Sequence, residues 1–341
     1  MSARVMNVLS EFTPDLEVYS IDEAFLRLDG FPGQDLTEYG QQIRRTVRQY
    51  TGIPTRVGIG PTKVIAKLAN RIAKKTKDNG GGVLDLTDKQ DLERALSKFP
   101  VGDVWGVGGK SAKKLENIGV YTAKDLRDHD PEVIQKLLTK VGRRIQRELA
   151  GESCLPIELV AQDRKEIISS RSFGKPVFKE EELKEAIAQY ATRAAEKLRR
   201  QGSVCHRLTV FIHTNPFKDV SQYYNSMSIK IPTGTASTSV ITEEAYRALS
   251  MIFKKGIEYK KAGVMLGDLR SGNQIQFGLF DDRDQYRQDK KVMAVMDKIN
   301  STMGRDTVKI GACGVNQPWK MNSKLCSPCY TTRWTDLLKV K

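Results

Sequence analysis

The feature that most constrains the fold is a β-α-β-β-α-β pattern that covers residues 165–269. Apolar residues alternate in the strand segments and recur every three or four positions in the helix segments. The predicted strands are 165–173, 206–213, 226–231 and 259–269, and the predicted helices are 180–200 and 242–255. This order predicts a ferredoxin-like or split βαβ unit, in which two helices cover one face of a four-stranded sheet and leave the other face free.

A second region of mixed strands and helices precedes this unit. The apolar pattern predicts a helix in 1–12, two strands around an acidic bend in 17–28, a helix at 37–50, a strand at 54–59, a helix at 62–75 and a strand at 83–86. From residue 100 the pattern changes to short helices, and residues 151–164 have the composition of a linker. We therefore predict a multidomain protein of the α/β (α+β) class.

Composition narrows the choice of partners. The 341 residues suffice for two or three domains, and the formal net charge of +15 is spread over folded-looking segments. Such an excess favours a polyanion, with nucleic acid ahead of an anionic membrane. Since neither a bilayer-spanning run nor a signal peptide is evident, we expect a cytoplasmic protein with reduced cysteines. The single C-x-x-C, Cys326 to Cys329, lacks the second ligand pair of a zinc site.

Two adjacent acids, Asp22 and Glu23, interrupt an otherwise apolar strand pattern. A buried carboxylate is costly unless a cation accompanies it. Neighbouring carboxylates at a bend can share a hard divalent ion such as Mg²⁺. The alternative interpretation is a surface hairpin in which both acids are solvated.

The helix predicted at 62–75 carries a basic stripe. Lys63, Lys67, Arg71 and Lys74 recur at intervals of four, four and three residues. Because like charges at this spacing repel, an anion facing the stripe would stabilise it. The alternative is a solvated basic face. The preceding Gly58 to Lys63 segment does not have the spacing of a P-loop.

A glycine pattern typical of a helix-hairpin-helix lies in the segment Trp105 to Leu115. Gly106 and Gly108 allow a phosphate to approach the backbone, and the amides at the start of the next helix bind it. Lys110 adds positive charge beside them. Such a motif contacts the nucleic-acid backbone and does not read sequence. The alternative is an ordinary tight turn between helices.

Two further candidate surfaces follow. Ser170 and Arg171, with Ser172, Thr209 and Lys230, are predicted to lie on the free face of the later sheet and to meet a phosphate backbone. The peptide from Gln276 through Leu279 and Phe280 has the polar-then-apolar pattern of a segment that docks in a partner's pocket. A local hydrophobic staple is the alternative for that peptide.

Together these motifs resemble those of one family. The segments are YSIDEAFLRLDGF, VGIGPTKVIAKLANRIAK, DVWGVGGKSAKKL, SRSFG, YATRAAEKLR, KAGVMLGDL and YTTRWTDLLKVK, in this order. The chain resembles the Y-family translesion DNA polymerases, most closely the UmuC-like catalytic subunits of bacterial DNA polymerase V (the UmuC, MucB, ImpB and RumB group). The resemblance runs from Met1 to Lys341.

The resemblance implies roles for the regions and residues. Residues 1–100 would be the palm, 101–163 the thumb, 164–272 the little finger and 273–341 an irregular C-terminal tail. The implied residues are Asp22 and Glu23 for catalysis and Mg²⁺; Lys74 and Arg71 for the nucleotide; Lys63, Lys67, Gly106, Gly108, Lys110, Ser170 and Arg171 for DNA; and Gln276, Leu279 and Phe280 for the sliding clamp. The implied partners are primer-template DNA, dNTP, the bacterial clamp, a UmuD′-like dimer and RecA, in the SOS response to DNA damage.

One departure from the family changes the expected activity. The family's first palm strand, which bears another metal-binding Asp, and its fingers do not precede Met1. We therefore expect an N-terminally truncated chain or a misannotated start, a palm sheet with an exposed edge or a gap, and impaired catalysis by the chain alone. The alternatives are a non-catalytic module that binds damaged DNA and assembles partners, and a helix-hairpin-helix nuclease. The nuclease is disfavoured because no further cluster of His or acidic residues accompanies the acidic pair.

Overall fold

The computed structural model describes the chain except residues 31, 32, 34, 76–81, 161, 279–281, 323, 324, 340 and 341. The chain forms two compact units. The first comprises Met1–Ala161 and Pro328–Lys341, and the second comprises Gln162–Ser327. Within the described residues, no helix combines the length and apolar character needed to cross a membrane.

The first unit contains four short strands and seven helices in its described part. In chain order these are α1 (Ser2–Leu9), β1 (Leu16–Val18), β2 (Ala24–Leu26), α2 (Leu36–Thr51), β3 (Val57–Ile59), α3 (Lys63–Lys75), β4 (Val83–Asp85), α4 (Lys89–Lys98), α5 (Gly109–Glu116), α6 (Ala123–Asp128) and α7 (Pro131–Leu149). The predicted order of strands and helices is confirmed. β1 pairs antiparallel with β2, and β3 pairs parallel with β4. The described residues thus form two separate strand pairs where the sequence predicts one sheet.

Local sequence explains the boundaries of the helices in this unit. Asp35 caps the start of α2, where its side chain accepts hydrogen bonds from the amides of Thr37 and Glu38. Gly52 ends that helix in the left-handed region, with φ of 73°. In α3 the side chains of Val64, Ile65 and Leu68 are buried, and packing on β3 and β4 fixes the orientation of the basic stripe.

One hydrophobic core extends across the predicted boundary at residue 100. Its buried side chains come from α3 and from every later helix of the unit, and include Val64, Ile65, Leu68, Leu96, Leu115, Leu126, Ile134 and Leu149. Burial of such side chains contributes about 1.5–3 kcal/mol each. The helices that carry the hairpin are therefore packed together with the basic helix α3.

The second unit has the predicted split βαβ arrangement. Its elements are β5 (Ile167–Val177), α8 (Glu180–Arg200), β6 (Ser203–His213), β7 (Tyr224–Thr235), α9 (Thr238–Ile252), β8 (Tyr259–Ser271) and α10 (Arg283–Thr302). The sheet order is β5-β8-β6-β7, and all its pairs are antiparallel. The crossover through α8 joins β5 to β6, with β8 between them, and the crossover through α9 joins β7 to β8, with β6 between them. The helices bury one face of the sheet, and the other face stays open.

The prediction that the chain is irregular after residue 272 is wrong for part of that region. α10 is a helix of 20 residues, yet only Met293 and Met296 of it are buried. Polar contacts attach it instead, including an ion pair of 2.7 Å between Arg199 Nε and Asp297 Oδ2. Further on, Trp319 is buried, with its ring centroid 6.1 Å from that of Phe173. Because few apolar residues hold this segment, its sequence carries little periodic signal.

Candidate nucleotide and nucleic-acid site

The acidic pair lies on a tight turn between β1 and β2, which we call the acidic turn (Tyr19 to Glu23). The amides of Tyr19 and Ser20 donate to the Glu23 carbonyl at 3.1 and 3.0 Å. The Ser20 hydroxyl donates to Asp22 Oδ1 at 2.6 Å. Both acids are exposed, which agrees with the alternative interpretation of a surface hairpin. The geometry is that of an exposed hairpin that presents two carboxylates to solvent.

Three cations of the predicted basic stripe face carboxylates of the protein itself. Lys67 Nζ lies 2.7 Å from Glu23 Oε1, and Arg71 forms an ion pair with Asp103. Lys74, by contrast, is exposed, and no carboxylate of the described residues pairs with it. The stripe therefore needs no external anion except at Lys74.

The third of these cations, Lys63, forms a buried ion pair with Glu17. The two side chains are only 9% and 10% exposed. Lys63 Nζ also donates to the Pro156 carbonyl at 2.7 Å, and the Glu158 amide donates to Glu17 Oε2 at 2.7 Å. This amine thus holds residues 156–158 against α3, and it is too buried to contact DNA as predicted.

The glycine hairpin has the expected backbone. Gly106 has φ of 91°, and a Cβ there would lie 2.7 Å from Ile145 Cδ1, so only glycine fits without displacement. A Cβ on Gly108, immediately before α5, would meet nothing within 4 Å. Lys110 in the first turn of α5 is exposed. The start of α5 is therefore accessible to an anion.

Three carboxylates in and around the hairpin region form hydrogen bonds with cationic side chains, and their pKa values are lowered. A hydrogen bond from Lys75 holds the pKa of Asp103 below its ordinary value of 3.8. Hydrogen bonds from Arg127 likewise lower the pKa of Glu93 and of Asp128. A carboxylate with a lowered folded-state pKa stabilises the fold above its unfolded-state pKa, and this contribution is lost as the pH falls through the folded-state pKa.

We therefore expect the thermal midpoint of the first unit to be flat near neutral pH and to fall below about pH 4. Near-UV circular dichroism at a series of pH values measures it. The variant Arg127→Met should show a shallower fall, because Glu93 and Asp128 lose the hydrogen bonds that lower their pKa values. A midpoint that is constant down to about pH 2.5 would contradict this account.

The acidic turn and the basic helix line the same cavity of about 1440 Å³ within the first unit. Asp22, Glu23, Lys67 and Lys74 are among its lining residues. Mg²⁺ in proteins is often held by one or two carboxylates with water and substrate phosphates, so the pair fits this ion. Within the described part of the chain, no cluster of three or more His, Cys, Asp or Glu side chains could hold a metal without such help.

The open face of the second unit's sheet carries hydroxyl and basic side chains. Thr209 and Ser228 lie opposite each other with 2.8 Å between their hydroxyl oxygens. Ser170 is on this face, because Ile168, two residues before it, pairs with Met265, which in turn pairs with Thr209. Arg171 pairs with Ala262 and lies on the opposite, helix-covered side, since neighbouring residues of a strand alternate between faces. The prediction that Arg171 shares the open face with Ser170 is wrong.

The predicted clamp-binding peptide is only partly described. Gln276 is exposed, whereas Leu279 and Phe280 lie outside the described residues. Phe277 packs edge to face on Tyr286 with 5.3 Å between ring centroids. This local aromatic contact is of the kind expected from the alternative interpretation, a hydrophobic staple. Binding of the peptide to the clamp stays a prediction.

Sequence reasoning did not identify several residues that position the acidic turn. Glu17 and Asp103 supply the carboxylates for the basic stripe, and Tyr19 contacts Trp105 through a hydrogen bond of 3.2 Å from Nε1 to Oη. A polar Glu17 between Leu16 and Val18 is the signal that could have pointed to a buried ion pair.

Family models match most of the chain. A model described as the impB/mucB/samB family matches residues 1–71, and the C-terminal domain of that family matches residues 164–279. A helix-hairpin-helix motif of the same family matches residues 89–120, which confirms the nature of the glycine hairpin. A domain of unknown function matches residues 290–340.

Individual proteins agree with these matches. Protein UmuC of Salmonella typhimurium is 43% identical, over 100% of this chain and 81% of that protein. Protein SamB of Salmonella typhimurium is 40% identical with the same coverage, and protein MucB of Escherichia coli is 37% identical over 99% of this chain and 80% of that protein. A solved Y-family DNA polymerase chimera of Dbh and Dpo4 has a TM-score of 0.61 at 21% identity, covering 79% of this chain and 75% of that one. The chain therefore belongs to the impB/mucB/samB family of UmuC-like Y-family DNA polymerases.

Proposed function

We propose that the chain carries out error-prone translesion DNA synthesis in the SOS response, by template-directed nucleotidyl transfer. The observation that carries this proposal is the cavity that contains the carboxylates of Asp22 and Glu23 together with the exposed ammonium of Lys74. A site that transfers a nucleotide needs oxygen ligands for a divalent cation and a cation for the triphosphate. These residues supply both in one place.

Each residue has a separate role in this proposal. Asp22 and Glu23 would hold Mg²⁺, which when bound activates the primer hydroxyl and balances phosphate charge. Lys74 would pair with the incoming triphosphate, because it has no carboxylate partner among the described residues. Arg71 is a weaker candidate, since it would first have to leave Asp103.

The glycine hairpin and the open sheet face would hold DNA by its backbone. Gly106, Gly108 and Lys110 present an accessible helix start in the first unit. Ser170 and its hydroxyl and basic neighbours on the open face do the same in the second unit. Contacts of this kind fix the position of a duplex without reading its bases, so a damaged template would be tolerated.

Primer extension by the purified chain tests the proposal. We expect Mg²⁺-dependent incorporation that is slow, because no third carboxylate joins Asp22 and Glu23 among the described residues. Replacing either acid by its amide, Asp22→Asn or Glu23→Gln, should reduce the extension rate by about 100-fold or more. The affinity for primer-template duplex should stay within about twofold, because the acidic turn lies outside the phosphate-contacting surfaces.

Two results would contradict this assignment. Incorporation at an unchanged rate after both acids are replaced would remove them from catalysis. The second result is that the unmodified chain and its variants bind duplex in a salt-sensitive way but do not extend a primer. It would favour the alternative function, a non-catalytic module that binds damaged DNA and assembles partners. This alternative is favoured by the absence, among the described residues, of a third carboxylate beside Asp22 and Glu23.

The partners are proposed on resemblance. We propose that the peptide from Gln276 to Phe280 docks on the bacterial sliding clamp, and that the chain assembles with a UmuD′-like dimer and RecA in the cytoplasm. The identity of 43% to protein UmuC supports these assignments.

A further inference from the structure

Lys67 lies in a notch between two aromatic rings. Its Nζ is 5.0 Å from the ring centroid of Tyr19 and 5.7 Å from that of Trp105. The two rings meet edge to face with 5.5 Å between centroids, and the indole N–H donates to the phenol oxygen. We call Tyr19, Lys67 and Trp105 the cation notch. Cation–π attraction holds the ammonium there independently of any carboxylate.

The same ammonium is the ion-pair partner of Glu23. The distance from Lys67 Nζ to Glu23 Oε1 is 2.7 Å. The lysine side chain is only 18% exposed, whereas that of Glu23 is 45% exposed. Lys67 also belongs to a packed helix, while Glu23 belongs to an exposed turn. Of the two partners, the carboxylate is therefore the one that can exchange its contact more easily.

We propose that Lys67 is the resident counter-ion of Glu23, and that a divalent cation binds the acidic turn only by displacing it. This inference rests on the proposed function, in that it takes the acidic turn as the cation site. A hard cation and an ammonium bind the same carboxylate oxygens, so they compete. Lys67 thereby sets the cation affinity of the turn and positions Glu23 when no cation is bound.

A bound triphosphate should shift the competition between Lys67 and the divalent cation in favour of the cation. Lys67 lines the same cavity as Lys74, so a bound triphosphate offers the released ammonium new oxygen partners. Without phosphate, the partners of the ammonium among the described residues are Glu23 and the two rings. Lys67 thus acts as a positioning residue that couples cation binding at the acidic turn to the presence of nucleotide.

Titration of the full chain with Mn²⁺, followed by the electron paramagnetic resonance of the free ion, tests this competition. The variant Lys67→Met should bind Mn²⁺ about threefold to tenfold more tightly, because it removes the competing charge at similar side-chain volume. Lys75→Met is the matched control. It removes the same charge from the same helix, but its partner is Asp103. We expect it to change the affinity by less than about twofold.

Tryptophan emission gives a second readout that a purely structural role would not move. Mg²⁺ should change the emission of Trp105 as the ion pair opens, and the change should be absent in Trp105→Phe and in Lys67→Met. An affinity for Mn²⁺ that Lys67→Met leaves unchanged, while Glu23→Gln abolishes binding, would overturn the inference and leave the acidic turn as a cation site. Absence of Mn²⁺ binding in all variants would overturn both the inference and that part of the proposed function.

Discussion

The variant Glu148→Ala should lower the free energy of unfolding of the first unit by about 3–5 kcal/mol. Glu148 is fully buried near the end of α7. Its carboxylate accepts hydrogen bonds from three amides, those of Val64 at 3.2 Å, Cys154 at 2.5 Å and Leu155 at 3.0 Å. Removing it leaves these donors without an acceptor, and each such buried group costs about 1–3 kcal/mol.

Urea unfolding followed by near-UV circular dichroism measures this loss. The variant Glu148→Gln retains one acceptor oxygen and should lose less than Glu148→Ala. Glu152→Ala is the control. The Glu152 side chain forms an exposed ion pair with Arg147, so its removal should cost less than about 1 kcal/mol. If Glu148→Ala unfolds at the same urea concentration as Glu152→Ala, the carboxylate does not hold α3 and α7 together.

Glu148 also shows where prediction from the sequence ends. The apolar period of α3 and the glycines of the hairpin identify two elements correctly, because local spacing alone determines them. The contact between Glu148 and Val64 joins residues 84 positions apart. No local pattern encodes such a contact. The same limit applies to Asp103, which lies 32 positions from Arg71.

The acidic turn illustrates a different limit. Its flanking residues suggest a buried strand, yet Val18 is 55% exposed and Ile21 is 82% exposed. Three residues on each side form strands, and the apolar residues between them belong to the turn. A hydrophobic run therefore indicates strand propensity, but it does not show which of its members are buried. The sequence pattern places the two carboxylates at a bend, and of its two interpretations the structure agrees with the exposed hairpin.

Arg171 shows a third limit, the assignment of faces. Ser170 and Arg171 are neighbours on β5, so a strand with period two places them on opposite faces. Only the pairing of Ser170 with Gly263 and of Arg171 with Ala262 decides which of them is on the open face. That register depends on the position of β8, which lies more than eighty residues later in the chain.

The variant Lys63→Met should destabilise the first unit by about 3–5 kcal/mol, because it leaves the Glu17 carboxylate buried without its cation. The control is Lys67→Met, one turn later on α3. It also breaks an ion pair, but its partner Glu23 is 45% exposed and can be solvated, so we expect a loss below about 1 kcal/mol. Urea unfolding compares the two variants directly.

Adding Glu17→Gln to Lys63→Met should recover part of the loss. The double variant removes the buried charge, and the amide oxygen can still accept from the Glu158 amide, which donates to Glu17 at 2.7 Å. We therefore expect the double variant to be more stable than Lys63→Met by about 1–3 kcal/mol. Hydrogen exchange at Glu158 should be fast in Lys63→Met and slower in the double variant. If the second substitution instead adds a further loss, the cost of Lys63→Met comes from lost packing, and the buried charge is not its cause.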